Sequence, residues 1–213
     1  MPASKRQPHI QLQGAYFDKK ADMFLRPIPE FIQEKTREIV TMSGVGPGSV
    51  VLHVGSGVGV LIGHFLEAGV RAADIVGCDL STEMLSRARA NYPDVVFWQG
   101  DAADIASAIG KDLPSHIHAF DRVFFNACFG NMFDQKLALA SALSVLKVGG
   151  QVVLSHPLGA RFVDALRKSD PDIVPHRLPD GKVLDDWSKD LDFGIASCVD
   201  QEDFYYVALT RKK

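Results

Sequence analysis

Short runs of β-branched and aromatic residues alternate along the chain with longer stretches in which apolar and charged residues recur at helical spacing. The runs predict strands at Val50–Val54, Ile75–Cys78, Val95–Trp98, Arg122–Asn126 and Gln151–Ser155. The stretches between them predict helices at Val58–Ala68, Ser81–Asn91, Ala102–Ile109 and Phe133–Leu146, with Ser81 as an N-cap and Met84 and Leu85 facing inward. Another helix is expected at Ala160–Lys168, followed by a connection rich in Pro and Asp through Pro171, Pro175 and Pro179. Two last runs, Gly194–Val199 and Phe204–Thr210, lie too close together for a crossover helix and should pair antiparallel. Strands separated by crossover helices imply an α/β fold. The sheet would be doubly wound, mostly parallel and seven-stranded, with helices on both faces and a C-terminal antiparallel hairpin.

Residues 1–44 carry no strand-like run, but Asp18–Val40 has helical spacing broken by Pro27 and Pro29, which predicts a two-piece helical cap over 1–44. The segment Gly44-Val45-Gly46-Pro47-Gly48 then punctuates the chain, and residues 45–213 form the core of a single domain overall. The 213 residues suit one α/β domain, and 46% hydrophobic with 23% charged residues is the balance of a chain that folds. With 23 basic against 26 acidic residues the net charge is -3, so no global positive field draws nucleic acid or anionic lipid. No apolar stretch reaches the roughly 20 residues that cross a bilayer. Met1–Gln13 lacks the apolar core of a signal peptide, so the expected home is the cytoplasm. Cys78, Cys128 and Cys198 sit in separate apolar runs and are expected to act as small hydrophobes.

Candidate chemistry clusters at strand ends. The first strand enters Gly55-Ser56-Gly57-Val58-Gly59, a turn that lets backbone approach a ligand without a Cβ in the way. Its G-x-G-x-G spacing differs from the G-x-G-x-x-G of dinucleotide loops, which would place a glycine at Val60. The second strand ends in Asp79, about 20 positions on, where a carboxylate can accept both hydroxyls of a ribose. The third runs into Gly100-Asp101-Ala102, where Asp101 can accept from an adenine amino group, the Ala102 amide can reach a ring nitrogen and Leu80 can cover the ring face.

In this order the three signals resemble the class I S-adenosylmethionine-dependent methyltransferases, with their Rossmann-like fold, over residues 50–210. Phe120-Asp121-Arg122-Val123-Phe124-Phe125-Asn126, Leu146-Lys147-Val148-Gly149-Gly150 and Asp192-Phe193-Gly194 extend the match. The resemblance implies a cofactor, S-adenosylmethionine, left as S-adenosylhomocysteine after methyl transfer. Gly55, Ser56, Gly57 and Gly59 would line its methionine end, Asp79 its ribose, Asp101 and Ala102 its adenine, and Asn126 would sit beside the sulfonium. Tyr16-Phe17-Asp18-Lys19-Lys20-Ala21-Asp22 resembles the segment that folds over the cofactor in small-molecule members. Two departures stand out. His53 replaces the acidic residue usual in the family, so a neutral hydrogen bond would take the place of an anion. Asn126-Ala127-Cys128-Phe129 lacks both prolines of the Asn-Pro-Pro-Phe motif, so amino-directed methylation does not carry over.

Methyl transfer from a sulfonium is an in-line displacement from an activated leaving group, so a general base is optional. His156, at the end of the fifth strand, is the candidate base, with Tyr16 second and Asp18 and His64 behind them. Phe17, Phe24, Phe129, Phe133, Phe162 and Trp187 would wall a pocket for a small-molecule acceptor. No metal is expected, because His116 and His118 lack partners that complete a site. A non-enzymatic sensor or partner subunit that binds the cofactor is the rival reading, motivated by His53 and the lack of a clear base. Protein or tRNA methylation is a further alternative. A short-chain dehydrogenase is disfavoured, because the Tyr-x-x-x-Lys spacing occurs only at Tyr16 and Lys20, ahead of the glycine turn.

Overall fold

The strands form because their β-branched and aromatic residues are buried on both faces. Val51–Val54 is buried at every position, and Ile75–Asp79 at all but its last. The computed structural model describes residues 5–212, so the first four residues of the cap expected over 1–44 and the last residue of the core lie outside it. In chain order the elements are α1 (Arg6–Lys20), a 3₁₀ turn (Ala21–Leu25), α2 (Glu30–Met42), β1 (Val51–Val54), α3 (Ile62–Glu67), β2 (Ile75–Asp79), α4 (Thr82–Asn91) and β3 (Val96–Gln99). There follow α5 (Ile105–Ala108), β4 (Phe120–Asn126), α6 (Gln135–Ser144), β5 (Leu146–His156), α7 (Gly159–Ser169), α8 (Gly181–Trp187), β6 (Phe193–Gln201) and β7 (Phe204–Arg211).

One seven-stranded sheet runs in the order β3-β2-β1-β4-β5-β7-β6. Strands β1 to β5 are parallel, and β7 inserts antiparallel between β5 and β6. Strand order reverses between β1 and β4. In open sheets of this kind the crevice for a ligand lies outside the carboxyl ends of the strands at that switch point. Alternation along each strand feeds two cores. Leu52, Val54, Val76, Cys78, Val123 and Phe125 face one layer, while Val51, Ile75, Phe124, Val153 and Phe65 face the other.

Several boundaries depart from the sequence expectation for identifiable reasons. The helix expected from Val58 begins only at Ile62, because Gly57 and Gly59 adopt φ of 53° and 97°, in the left-handed region that no α-helix tolerates. The helix expected over Ala102–Ile109 is a 3₁₀ turn at Ala102–Asp104 followed by a short α5. Leu146-Lys147-Val148-Gly149-Gly150, expected ahead of the fifth strand with Leu146 ending a helix, belongs to β5, whose ladder with β4 reaches Phe120↔Leu146 across a register shift. Two helices escaped the pattern. α1 starts at Arg6 and buries only Gln13, and α8 buries only Leu184, so neither shows an apolar stripe. α8 is started by Asp180, whose side chain accepts from the Val183 amide at 2.9 Å.

Candidate functional site

A cavity of about 330 Å³ opens over the carboxyl ends of β1, β2, β3 and β4, roofed by α1, the 3₁₀ turn and the start of α2. At its floor the glycine turn leaves β1. Gly55 adopts φ 61°, and a Cβ there would meet the Cys128 side chain at 2.6 Å, so the turn and the β4 loop pack at backbone distance. The Gly57 amide donates to Asp79 Oδ2 at 2.8 Å, and the Ser81 amide donates to Asp79 Oδ1 at 2.9 Å. Asp79 is thus fixed by two amides while its remaining lone pairs line the cavity. Burial pushes its carboxyl above the ordinary range, against the pull of the Ser81 and Gly57 amides. Ser56 Oγ is buried beside it without a hydrogen-bond partner.

Asp101 stands at the next strand end and is already engaged. Its Oδ1 caps the following turn through the Ala103 amide at 3.0 Å, and its Oδ2 accepts from Arg6 Nε at 2.9 Å. Arg6 also reaches Asp104 at 2.7 Å, which ties the roof to the floor. Ala102 and Leu80 line the same end. On the other side of β1, Asn126 lines the cavity with its Oδ1 accepting the Ser155 hydroxyl at 3.0 Å, which leaves its amide hydrogens for a ligand. Ala127 follows with φ 56°, a strained conformation for a non-glycine residue of the kind that collects at functional sites.

His53 lies deep in the wall at 1% exposure, with neither ring nitrogen paired. Desolvation pushes its pKa down to about 3, so the imidazole is neutral across the physiological range. Phe65 meets it edge-on at 6.0 Å.

The structure brings His53, Gly55, Ser56, Gly57, Asp79, Leu80, Asp101, Ala102 and Asn126 around one cavity and leaves Gly59, His156, Tyr16, Asp18 and His64 outside its lining. Gly59 is turned to Tyr92, whose ring a Cβ would meet at 2.7 Å, so that glycine serves packing. His156 is buried against Phe162 at 5.4 Å with Nδ1 accepting from the Leu158 amide, and burial pushes its pKa down to about 4. The Tyr16 hydroxyl accepts from Lys20 at 2.8 Å. Asp18 caps α4 through Ser81 Oγ and the Glu83 amide, and His64 pairs with Thr36 and Glu67. His116 contacts the Ala73 carbonyl at 3.0 Å. Of the proposed aromatic wall, Phe17, Phe24 and Phe133 line the cavity; Phe129 is core, Phe162 lies beside His156, and Trp187 packs against the core from α8.

Sequence reasoning missed the lining residues His9, Gln13, Thr36 and Asn131. Gln13 donates to the Ile173 carbonyl at 2.7 Å and His9 Nε2 lies 2.8 Å from the Asn131 carbonyl, so α1 is seated by polar contacts that carry no periodic signal. Thr36 was visible only as a polar position on the otherwise apolar face of α2.

The family model described as "Methyltransferase domain" matches residues 52–154. A demethylmenaquinone methyltransferase of Renibacterium salmoninarum is 35% identical over 129 residues, 59% of this chain and 50% of that protein. The chain therefore spans about half the length of the curated relatives it matches. Among solved structures, a chain of the Haloferax volcanii complex formed with the Trm112 methyltransferase activator superposes with a TM-score of 0.74 at 16% identity, covering 92% of this chain and 98% of that one. The Synechocystis magnesium protoporphyrin IX methyltransferase with bound S-adenosylhomocysteine gives 0.69 at 16% identity, over 96% and 100%. The strand order, the glycine turn with its two acidic strand ends, and the matched domain agree: residues 52–154 carry a methyltransferase domain, on a sheet with the class I, Rossmann-like order.

Proposed function

We propose that the protein transfers the methyl group of S-adenosylmethionine to a small-molecule acceptor held in the cavity over β1 to β4. The observation that carries this reading is Asp79, half-buried and held by two amides while its carboxylate still faces the cavity. A diol placed there gains two charge-assisted hydrogen bonds. The donor fits the wall: Ser56 and the glycine turn would take its amino-acid end, Asp79 its ribose, Leu80 and Ala102 its base. Asp101 would take the base's amino group while it keeps Arg6.

When bound, the donor supplies a methyl group on a sulfonium that needs no further activation. The chain's contribution is to position and to dry the site. Phe17, Phe24, Ile28, Ile32, Met132 and Phe133 exclude water, and Asn126 offers amide hydrogens beside the glycine turn. Neutral His53 holds one donor and one acceptor for an uncharged partner. Because His156 and Tyr16 are not in the lining, the reaction as proposed relies on alignment rather than on either as a base. A cavity roofed by α1 and the start of α2 and a net charge of -3 support a small acceptor over a protein or tRNA.

The test is turnover. Purified protein incubated with S-adenosylmethionine and pooled low-molecular-weight extract should form S-adenosylhomocysteine together with a product 14 Da heavier than its precursor, the mass of one added CH₂. Tight donor binding with no product from any fraction would favour the sensor reading instead.

A further inference from the structure

Three side chains stand in hydrogen-bonded series from the wall of the cavity to the surface. Thr36 of α2 lines the cavity at 1% exposure, with Ile28, Ile32 and His53 also in the lining. Its Oγ1 lies 3.1 Å from His64 Nε2 on α3, and His64 Nδ1 lies 3.3 Å from Glu67 Oε2. Arg37 Nε is 3.7 Å from the same carboxylate oxygen. Exposure climbs along the series, from the buried threonine through the His64 side chain at 11% to that of Glu67 at 62%. The series therefore joins the interior of the cavity to solvent. Thr36 is the polar member of the three residues that α2 buries, beside Ile39 and Val40, where packing alone needs no hydroxyl.

The carboxylate sets the direction in which a proton can run. A carboxylate only accepts, so Glu67 places the imidazole hydrogen on His64 Nδ1 and leaves the Nε2 lone pair facing Thr36. The Thr36 hydroxyl then donates to Nε2. Its other acceptors, the Ile32 and Gln33 carbonyls at 2.9 and 3.0 Å, belong to α2 itself and already accept helical bonds. With its hydrogen turned to His64, Thr36 Oγ1 keeps a lone pair for an X–H group in the cavity. The position suits the acceptor. Lys35, next to Thr36, pairs at 2.6 Å with Asp203 between β6 and β7, and Pro157, which follows β5, shares the lining. Thr36 thus stands toward the β5 to β7 half of the sheet, away from the β2 and β3 ends that carry Asp79 and Asp101.

We infer that Thr36, backed by His64 and Glu67, takes the proton from the acceptor as it is methylated, so that the acceptor is a nucleophile with a hydrogen on the methylated atom. This rests on the small-molecule reading above and adds a base to it. The acceptor atom bonds to the methyl carbon, and the carbon–sulfur bond breaks with its electron pair left on sulfur. The acceptor's proton passes to Thr36 Oγ1 as the threonine's own proton passes to His64 Nε2. The imidazolium so formed faces the Glu67 carboxylate and gives up its proton to solvent. Thr36 is the residue that touches the acceptor; His64 and Glu67 act through it.

The first test needs neither donor nor acceptor. In protein carrying nitrogen-labelled histidine at neutral pH, the His64 resonances, assigned by their loss in His64→Gln, should show a hydrogen on Nδ1 and a bare Nε2. A hydrogen on Nε2 overturns the inference. The second is turnover of S-adenosylmethionine with the pooled low-molecular-weight extract. Thr36→Val should cut the saturated rate by about a hundredfold, the scale of general-base assistance. The affinity for S-adenosylhomocysteine and the extract concentration for half-saturation should stay unchanged. Thr36→Ser should keep most of the rate, and His64→Ala should fall with Thr36→Val and recover about tenfold in added imidazole. Full activity in Thr36→Val, or no rescue by serine and imidazole, overturns the inference while the small-molecule reading stands. A wild type that releases no S-adenosylhomocysteine removes that reading, and this inference with it.

Discussion

Asp79 carries a conflict that its surroundings only partly relieve. Burial raises its pKa while two amides stabilise the anion, so the ionised carboxylate is kept at a cost to folding. A folded-state pKa above the unfolded value gives stability that is present at low pH and lost as pH rises through the folded value. Removing the charge with Asp79→Asn should therefore leave the unfolding free energy at pH 7.5 unchanged or higher in urea titration; a clear loss would show that the two amides outweigh burial. The two buried histidines act in the opposite direction. His53 and His156 have pKa values lowered to about 3 and about 4, so the stability they confer is complete above the unfolded value and is lost as pH falls through the acid range. Between pH 6.5 and 5 each should cost about 2 kcal/mol, from 1.36 kcal/mol per unit. His53→Leu should remove about half of that acid sensitivity, measured by urea unfolding at the two pH values; an unaltered slope would show that His53 is protonated or solvated. Single residues were only partly legible in the sequence. Asp79 and the glycine turn announce themselves because a strand must end where they stand, whereas His53 tells nothing of its unpaired nitrogens, which depend on Phe65 and α2 brought from elsewhere.

At the scale of elements, α1 stands apart. It buries one residue, Gln13, and is seated by Arg6 on Asp101 and Asp104, by His9 on Asn131 and by Gln13 on Ile173. A helix held by partly exposed polar contacts sits at the low end of local stability, since such ion pairs contribute about 1 kcal/mol or less. Arg6→Ala should speed amide hydrogen exchange through Arg6–Lys20 by up to about fivefold while β1, β4 and β5 keep their protection, and equal speeding of the sheet would contradict this. The strands were legible because burial on both faces leaves unbroken runs such as Val51–Val54 and Ile75–Cys78. α1 and α8 were not, because a helix that buries a single side chain leaves no stripe. The start of α3 was misplaced because the glycines that signal the turn also delay the helix.

The whole molecule shows a division of labour that explains why the fold class could be read and the acceptor could not. Alternating strands and helices allow few topologies, and the short gap between Gln201 and Phe204 forces the hairpin that sets β7 between β5 and β6. The roof, by contrast, is assembled from residues 6–36 and meets loops more than a hundred positions away, as when Gln13 reaches Ile173. No local pattern encodes such a meeting. The account as a whole stands on the carboxyl edge of β1 to β4 holding the donor through Asp79. Titration of S-adenosylhomocysteine into wild type and Asp79→Ala tests it most directly. Binding to the wild type with about a hundredfold loss in the variant, as expected from two charge-assisted hydrogen bonds at about 1.5 kcal/mol each, and with folding retained, is the predicted result. No binding to the wild type, or equal affinity in both proteins, would contradict it.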